Sequence, residues 1–233
     1  MPDPIAAGPA STADATGTAA VTASADSFGT AVGLSSSGTS GTIPRTGHLF
    51  VLVGPGGSGK TAIISAVLAA RPLVHFIPTT TTRTPRPGEQ DGYHYCFVSD
   101  SEFAAMQARG ELLESERIHG NWYGTSRLRI AELLAAGQVG ITSLDYRGGT
   151  AVRAAFPQQT TTVFVQPGSL DELRARLEAR PGSTEADVRA RLARAAEEMA
   201  HADQCDHLVV NADGALDVAV CAVLSVMDEC RRR

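Results

Sequence analysis

Short apolar runs alternate with longer amphipathic stretches from residue 47 to the end of the chain. Four of the runs are rich in β-branched and large aliphatic residues, as expected of strands that are buried on both faces of a sheet. They cover residues 49–53, 139–142, 162–165 and 207–210. Because helical patterns separate these runs, the sequence predicts an α/β fold with a parallel sheet flanked by helices.

The amphipathic stretches carry signals for the start of a helix. Ser99 and Ser169 are each followed three residues later by a glutamate, which is the spacing of a capping box. Further helices are predicted over 62–70, from Thr184 onward, and over 215–229.

Residues 1–45 differ from the rest of the chain in composition. Ala, Ser, Thr, Gly and Pro dominate, and large apolar residues are few. Such a segment buries too little apolar surface to offset the entropy lost on ordering. We therefore predict a disordered, low-complexity tail over 1–45 and a folded domain over 46–233. The tail lacks the basic start and apolar centre of a secretory signal, and the arginines of a transit peptide.

Bulk composition excludes several classes of function. The net charge of -5 argues against binding to nucleic acid, which requires a surplus of Lys and Arg. The four cysteines show no metal-ligand spacing and no paired framework, which favours free thiols in a reducing compartment. No apolar run reaches the roughly 20 residues that span a bilayer. These features predict a soluble cytoplasmic protein that binds no membrane; they do not indicate an oligomeric state.

The most specific motif follows the first apolar run. Residues 54–61 read GPGGSGKT and match G-x-x-x-x-G-K-[ST] at every fixed position. Glycines let backbone amides close around phosphate oxygens, and the following helix directs its positive end at the anion. The motif predicts binding of a nucleoside triphosphate, with Lys60 on the β- and γ-phosphates and the Thr61 hydroxyl on Mg²⁺. The expected nucleotide-binding residues are Gly54, Gly56, Gly57, Ser58, Gly59, Lys60 and Thr61.

A second anion site is predicted near residue 85. Arg83 and Arg86 lie three residues apart in a proline-containing segment. Arginine makes bidentate contacts to phosphate, so this pair is a candidate clamp for a second anion.

The surrounding sequence resembles the guanylate kinase family of P-loop nucleoside monophosphate kinases. The family pattern TTRxPRxGExxGxxYxF begins at Thr81 and continues through Phe97, and the motifs ELLE, GNWYGTS and LD follow in the family's order at 111–114, 120–126 and 144–145. The resemblance covers about 49–211. It implies a P-loop NTPase-type sheet with a small NMP-binding insertion at about 79–126 and a helical lid at about 168–200. The implied reaction is in-line transfer, ATP + GMP = ADP + GDP, with Mg²⁺.

The resemblance also assigns the acceptor residues. The GMP phosphate would be held by Thr79, Arg83, Arg86, Tyr95 and Tyr123, and guanine would be read by Glu114, Thr125 and Asp145. The chemistry of guanine agrees with that set, because its N1–H and N2 amine are donors that suit carboxylates and its O6 is an acceptor that suits a hydroxyl.

Three lid arginines complete the implied site. Arg176 and Arg180 are predicted on one face of a helix, and Arg191 on the next helix. With Lys60, the resemblance makes them the catalytic residues that neutralise the charge on the transferring phosphoryl group. Asn211 matches a family asparagine near ATP. Arginines 174, 189 and 194 are predicted to be surface residues.

Two positions depart from the family pattern. Ser143 lies where an acidic residue would normally help to hold Mg²⁺, and we expect this to slow catalysis. Pro181 replaces a glycine after Arg180, which restricts the hinge between the lid helices.

Two alternatives remain open from the sequence. A related kinase could act on another small phosphate such as ribose 1,5-bisphosphate, and a non-catalytic binding module could keep the same fold. The intact Lys60–Thr61 pair argues against the second.

Overall fold

A computed structural model describes residues 47–118 and 120–230, and the predicted tail lies outside them. Its strands lie in two sheets and are numbered in chain order. They are β1 (His48–Val53), β2 (Val74–Phe76), β3 (Thr80–Thr81), β4 (Cys96–Phe97), β5 (Leu112–Ile118), β6 (Asn121–Ser126), β7 (Val139–Leu144), β8 (Thr160–Pro167) and β9 (His207–Asn211).

The central sheet is parallel, with the strand order β2-β7-β1-β8-β9. Alternate residues of β1 face opposite layers. Phe50 and Leu52 join one buried cluster, whereas Leu49, Val51 and Val53 join the other. Because both faces of β1 are covered, the run is apolar without interruption.

The helices are α1 (Lys60–Ala70), α2 (Asp100–Ala108), α3 (Arg127–Ala135), α4 (Tyr146–Ala155), α5 (Leu170–Glu178), α6 (Glu185–Met199) and α7 (Leu216–Cys230). Four of them cover the two faces of the central sheet. Helices α1 and α7 pack on one face, and α3 and α4 on the other. The predicted α/β class and the four predicted strands are confirmed. Strand β7 extends two residues beyond the predicted run.

The helix caps follow the sequence closely. The Ser99 and Ser169 hydroxyls each accept the backbone N–H three residues later. Thr184 and Asp187 form a complete capping box at the start of α6. The sequence analysis does not anticipate α3 and α4, which begin at the side-chain caps Ser126 and Asp145.

A small second sheet lies within residues 80–126, inside the predicted insertion. Its order is β4-β3-β6-β5, and β6 runs antiparallel to both of its neighbours. The ring of Phe103 in α2 stacks on Trp122 in β6 at 5.8 Å between centroids. This contact fixes the helix against the sheet.

Helices α5 and α6 form a hairpin within the predicted lid. Leu173 and Leu177 pack with Val188 and Ala195 in a small core of their own. In the part of the chain that the structure describes, no helix combines the length and the apolar character needed to cross a bilayer.

The register of the central sheet determines what meets at its carboxyl edge. Val53 pairs with Leu144 in the parallel ladder of β1 and β7. Gly54 and Asp145, the residues that follow, therefore emerge side by side. Parallel α/β sheets bind ligands at this edge.

Candidate active site

The turn from β1 to α1 has glycine with positive φ at three positions, Gly54, Gly57 and Gly59. Gly54 has φ 139°, and a Cβ there would lie 2.3 Å from the Val165 carbonyl oxygen. Gly59 has φ 92° and caps α1, and a Cβ there would lie 2.1 Å from Nδ2 of Asn211. The spacing of the motif thus reflects close approaches of the backbone to its neighbours.

Lys60 is folded onto this loop. Its Nζ donates to the carbonyl oxygens of Gly54 and Pro55, the second at 3.0 Å. Burial lowers the pKa of Lys60 to about 8, against the opposing charges of Glu198 and Asp145. The ammonium therefore lies among polar partners at the head of α1, where an anionic ligand would compensate its desolvation.

Asn211 and Arg176 support the loop from behind. The buried Asn211 amide donates to the Ser58 carbonyl oxygen at 2.7 Å. Arg176 donates to the Asn211 carbonyl oxygen at 2.8 Å and pairs with Asp213. Both residues are predicted to contact ATP, and the structure shows them holding the loop in shape.

One cleft collects eight of the predicted site residues. It has a volume of about 960 Å³, and the predicted residues lining it are Thr61, Thr79, Arg83, Arg86, Tyr95, Tyr123, Arg180 and Arg191. An adjoining cavity shares several of them and adds Gly54, Gly56, Lys60, Glu114 and Asp145. Both predicted anion sites therefore open into one connected space.

The two arginines predicted to hold the acceptor are prearranged by a glutamate. Nη2 of Arg83 donates to both carboxylate oxygens of Glu89 at 2.8 and 2.9 Å, and the guanidinium lies over the Tyr95 ring at 5.2 Å. The hydrogen bond to Glu89 raises the pKa of Arg83. Glu89 also accepts the backbone N–H of Arg86 at 2.7 Å. The sequence analysis includes Glu89 in the family pattern but gives it no role; it fixes both arginines.

Two of the residues predicted to read the base also hold one another. The Thr125 hydroxyl, in a residue 3% exposed, donates to Oε1 of Glu114 at 2.7 Å. Burial raises the pKa of Glu114, the Thr125 hydrogen bond lowers it, and the nearby Asp145 and Glu116 raise it further. A hydroxyl has one proton, so in this arrangement Thr125 orients the carboxylate, and the predicted hydrogen bond to guanine O6 requires the hydroxyl to turn.

The lid prediction needs two corrections. Helix α5 ends at Glu178, and Arg180 lies beyond its Ala179 C-cap, so Arg176 and Arg180 do not share a helical face. The reason is Pro181, which disfavours helical backbone in the residue before it. Arg180 instead faces the cleft, and burial together with the charges of Arg191 and Arg86 lowers its pKa.

The second correction concerns Arg194. The sequence analysis treats it as a surface residue, but its guanidinium contacts Asp145 at 2.9 Å, Glu116 at 3.0 Å and Glu198 at 3.1 Å. A sequence signal was present, because Arg194 follows Arg191 by three residues and precedes Glu198 by four on one helix.

The donor set for magnesium is sparse. Thr61 and Ser143 line the same cleft, and no cluster of three or more His, Cys, Asp or Glu suited to a metal occurs within the described ranges. Asp145 is already engaged, since it accepts the Gly148 N–H and the Arg194 guanidinium. These residues fit an ion that arrives on ATP phosphates and gains hydroxyl ligands, because Mg²⁺ commonly relies on substrate phosphates.

The unusual pKa of Lys60 can be measured directly, because Lys60 is the only lysine in the sequence. In protein labelled with ¹³C-lysine we expect one side-chain signal titrating at about 8, and kcat/KM for ATP falling above that pH as the ammonium loses its charge. Glu198→Gln should move the midpoint lower, because the Glu198 charge raises this pKa. A midpoint near that of a free lysine would contradict the geometry described here.

Comparison with known proteins identifies relatives of the chain. A protein-family model described as guanylate kinase matches residues 46–229. The guanylate kinase of Gluconobacter oxydans is 38% identical over 189 residues, covering 81% of this chain and 90% of that protein. The guanylate kinase of Thiobacillus denitrificans is 39% identical over 189 residues, covering 80% and 90%.

A solved structure has the same fold. The crystal structure of guanylate kinase from Anaplasma phagocytophilum superposes with a TM-score of 0.64 at 24% identity, covering 79% of this chain and 86% of that one. The resemblance inferred from the motifs is confirmed.

Proposed function

The chain belongs to the guanylate kinase family, and on that premise we propose that it transfers the γ-phosphate of ATP to GMP, giving ADP and GDP. The observation that carries the proposal is the shared cleft. The intact phosphate loop, which carries Lys60, opens into this space. The Glu114 carboxylate, which Thr125 orients, lines the same space.

The donor phosphates bind at the carboxyl end of β1. The backbone amides of the loop and the N-terminus of α1 receive the phosphate oxygens. Lys60 exchanges its bonds to the Gly54 and Pro55 carbonyl oxygens for bonds to the β- and γ-phosphates. Mg²⁺ bound with ATP would contact Thr61 and neutralise charge on the same oxygens.

The acceptor binds against the small sheet. Arg83 and Arg86, held by Glu89, receive the GMP phosphate together with the hydroxyls of Tyr95 and Tyr123. Ionised Glu114 accepts the N1–H and N2–H donors of guanine, and adenine lacks this pair of donors.

Closure brings the remaining cations to the phosphates. Arg180 and Arg191 already line the cleft, and their mutual repulsion is relieved when a polyphosphate enters between them. We assign 168–200 as the lid and 79–126 as the NMP-binding insertion. Closing both segments excludes water and directs the γ-phosphate to GMP.

We further propose that the enzyme acts in the cytoplasm. Cys96, Cys205, Cys221 and Cys230 are all free thiols, which supports a reducing compartment.

Ser143→Asp is expected to raise kcat several-fold and to lower the Mg²⁺ concentration needed for half-maximal rate. The side chain at this position faces the same cleft as Thr61, and a carboxylate there can bind the ion or its water. Ser143→Asn is the matched control, since asparagine is similar in size to aspartate but carries no charge. An unchanged or lower rate for Ser143→Asp would contradict this account of the departure.

The test of the proposed function is a coupled ADP-release assay that compares acceptors. With ATP and Mg²⁺ we expect turnover with GMP to exceed that with AMP or UMP by several orders of magnitude. Turnover only with ribose 1,5-bisphosphate would transfer the assignment to another small phosphate. Absence of turnover with every acceptor would favour a binding module.

A further inference from the structure

Arg194 connects three carboxylates that belong to different parts of the fold. Its Nη2 donates to Glu116 in β5 at 3.0 Å and to Asp145, the N-cap of α4, at 2.9 Å. Its Nε donates to Glu198 in its own helix at 3.1 Å. The side chain is 40% exposed, so these contacts are partly shielded from water.

This guanidinium fixes the orientation of Asp145. One oxygen of Asp145 accepts the Gly148 N–H at 2.8 Å, and the other accepts Arg194. With a partner on each oxygen the carboxylate cannot rotate freely, and its remaining lone pairs point in defined directions.

The same guanidinium offsets repulsion among acidic groups. Glu114, Glu116 and Asp145 are close enough that the last two raise the pKa of the first. Glu198 adds a further carboxylate, and its Oε2 is buried with no hydrogen-bond partner among the described residues. A planar cation with several donors can serve such a cluster, whereas a neutral side chain leaves its charges uncompensated.

Arg194 also joins the two sides of the cleft. It lies on α6 one turn after Arg191, which faces the phosphate-binding part of the cleft. The helix that carries a lid arginine is therefore attached through Arg194 to the residues assigned to the base.

We propose that Arg194 is a positioning residue for guanine recognition, which holds Asp145 so that it accepts the N2 amine of the base. The inference rests on the proposed function and extends it to a residue that would not touch the substrate. The proposal predicts an effect on base selectivity. Loss of Arg194 should weaken the response to the 2-amino group more than it weakens binding of the nucleotide as a whole.

The experiment compares GMP with IMP, which lacks the 2-amino group, in wild type, Arg194→Met and Arg194→Lys. In Arg194→Met we expect the ratio of kcat/KM for GMP to that for IMP to fall about tenfold, through a higher KM for GMP, with KM for ATP nearly unchanged. Arg194→Lys should recover part of the ratio, since it keeps the charge but loses the fork of donors.

The matched control is Arg189→Met on the same helix. Arg189 is 75% exposed and pairs only with Glu185 among the ion pairs of the described residues, so the GMP-to-IMP ratio should stay at the wild-type value. Circular dichroism melts of each variant separate loss of fold from loss of selectivity. If Arg194→Met does not fold, Arg194→Lys carries the test.

Three outcomes would overturn the inference: equal losses for GMP and IMP, an increase in KM for ATP alone, or a lower KM for GMP. The last would make the guanidinium a competitor for Asp145. A wild-type enzyme that does not use GMP would instead refute the proposed function, so the two failures are distinguishable.

Discussion

Lys60→Met is expected to lower kcat for GDP formation about 10³-fold, a loss of about 4 kcal/mol of transition-state stabilisation. The lysine is the only cation on the phosphate loop itself, and its Nζ already lies at the carbonyl oxygens of Gly54 and Pro55. Methionine keeps the length and apolar stem but offers no charge to the transferring phosphoryl group. Steady-state kinetics at saturating ATP and GMP measure the effect.

The control for Lys60→Met is Arg71→Met. Arg71 is the C-cap residue at the far end of the same helix and pairs with Asp228 at the surface. Its loss should change kcat less than twofold, since surface ion pairs contribute little and this one is remote from the cleft. The melting temperature of Lys60→Met should not fall, because the substitution removes a desolvated charge. Retention of more than a tenth of the activity would contradict the assigned role of Lys60.

Glu114→Gln is expected to lower kcat/KM for GMP about 10²- to 10³-fold while KM for ATP changes little. Thr125 donates to Oε1 of Glu114, and Glu114 lines the cavity. In a glutamine the carbonyl oxygen takes the Thr125 proton, so the amide NH₂ faces the guanine donors. The glutamine NH₂ and the guanine N–H groups are then two donors facing each other, where the carboxylate of Glu114 would accept a hydrogen bond.

The control for Glu114→Gln is Glu111→Gln, on the same segment. Glu111 pairs with Arg109 at the surface, so its loss should leave kcat/KM for GMP within a factor of two. Wild-type kcat/KM for GMP should also fall as the pH is lowered, because protonation of Glu114 removes the acceptor. The midpoint of this fall should lie above the usual pKa range of a glutamate, since burial raises the pKa of Glu114. This acid limb should be absent in Glu114→Gln. Equal behaviour of the two variants would exclude Glu114 from base recognition.

The features that the sequence predicts are local in the chain. Residues 54–61 predict the phosphate loop from their glycine spacing. The backbone requires glycine at positions such as Gly54 and Gly59, where a Cβ would clash with Val165 and Asn211. The capping residues Ser99, Ser169 and Thr184 can also be predicted from local sequence, because a cap and its partner are three residues apart.

The features that the sequence does not predict depend on distant contacts. Arg194 resembles any arginine on a charged helix until the fold places Glu116 and Asp145 beside it, 78 and 49 residues away in the chain. The roles of Arg176 and Asn211 likewise depend on contacts with loop residues that are 119 and 153 residues away in the chain. The short strands of the small sheet carry too few residues to show an alternating pattern.

Direct transfer between the two nucleotides is the central claim, and ³¹P NMR of the complete reaction tests it. With ATP, GMP and Mg²⁺ we expect one equivalent of GDP, measured from its β-phosphate signal, for each equivalent of ATP consumed. Almost no ATP should be lost when GMP is omitted, because the proposed closure of the cleft excludes water. Inorganic phosphate accumulating as ATP falls, with GMP unchanged, would show transfer to water and contradict the account.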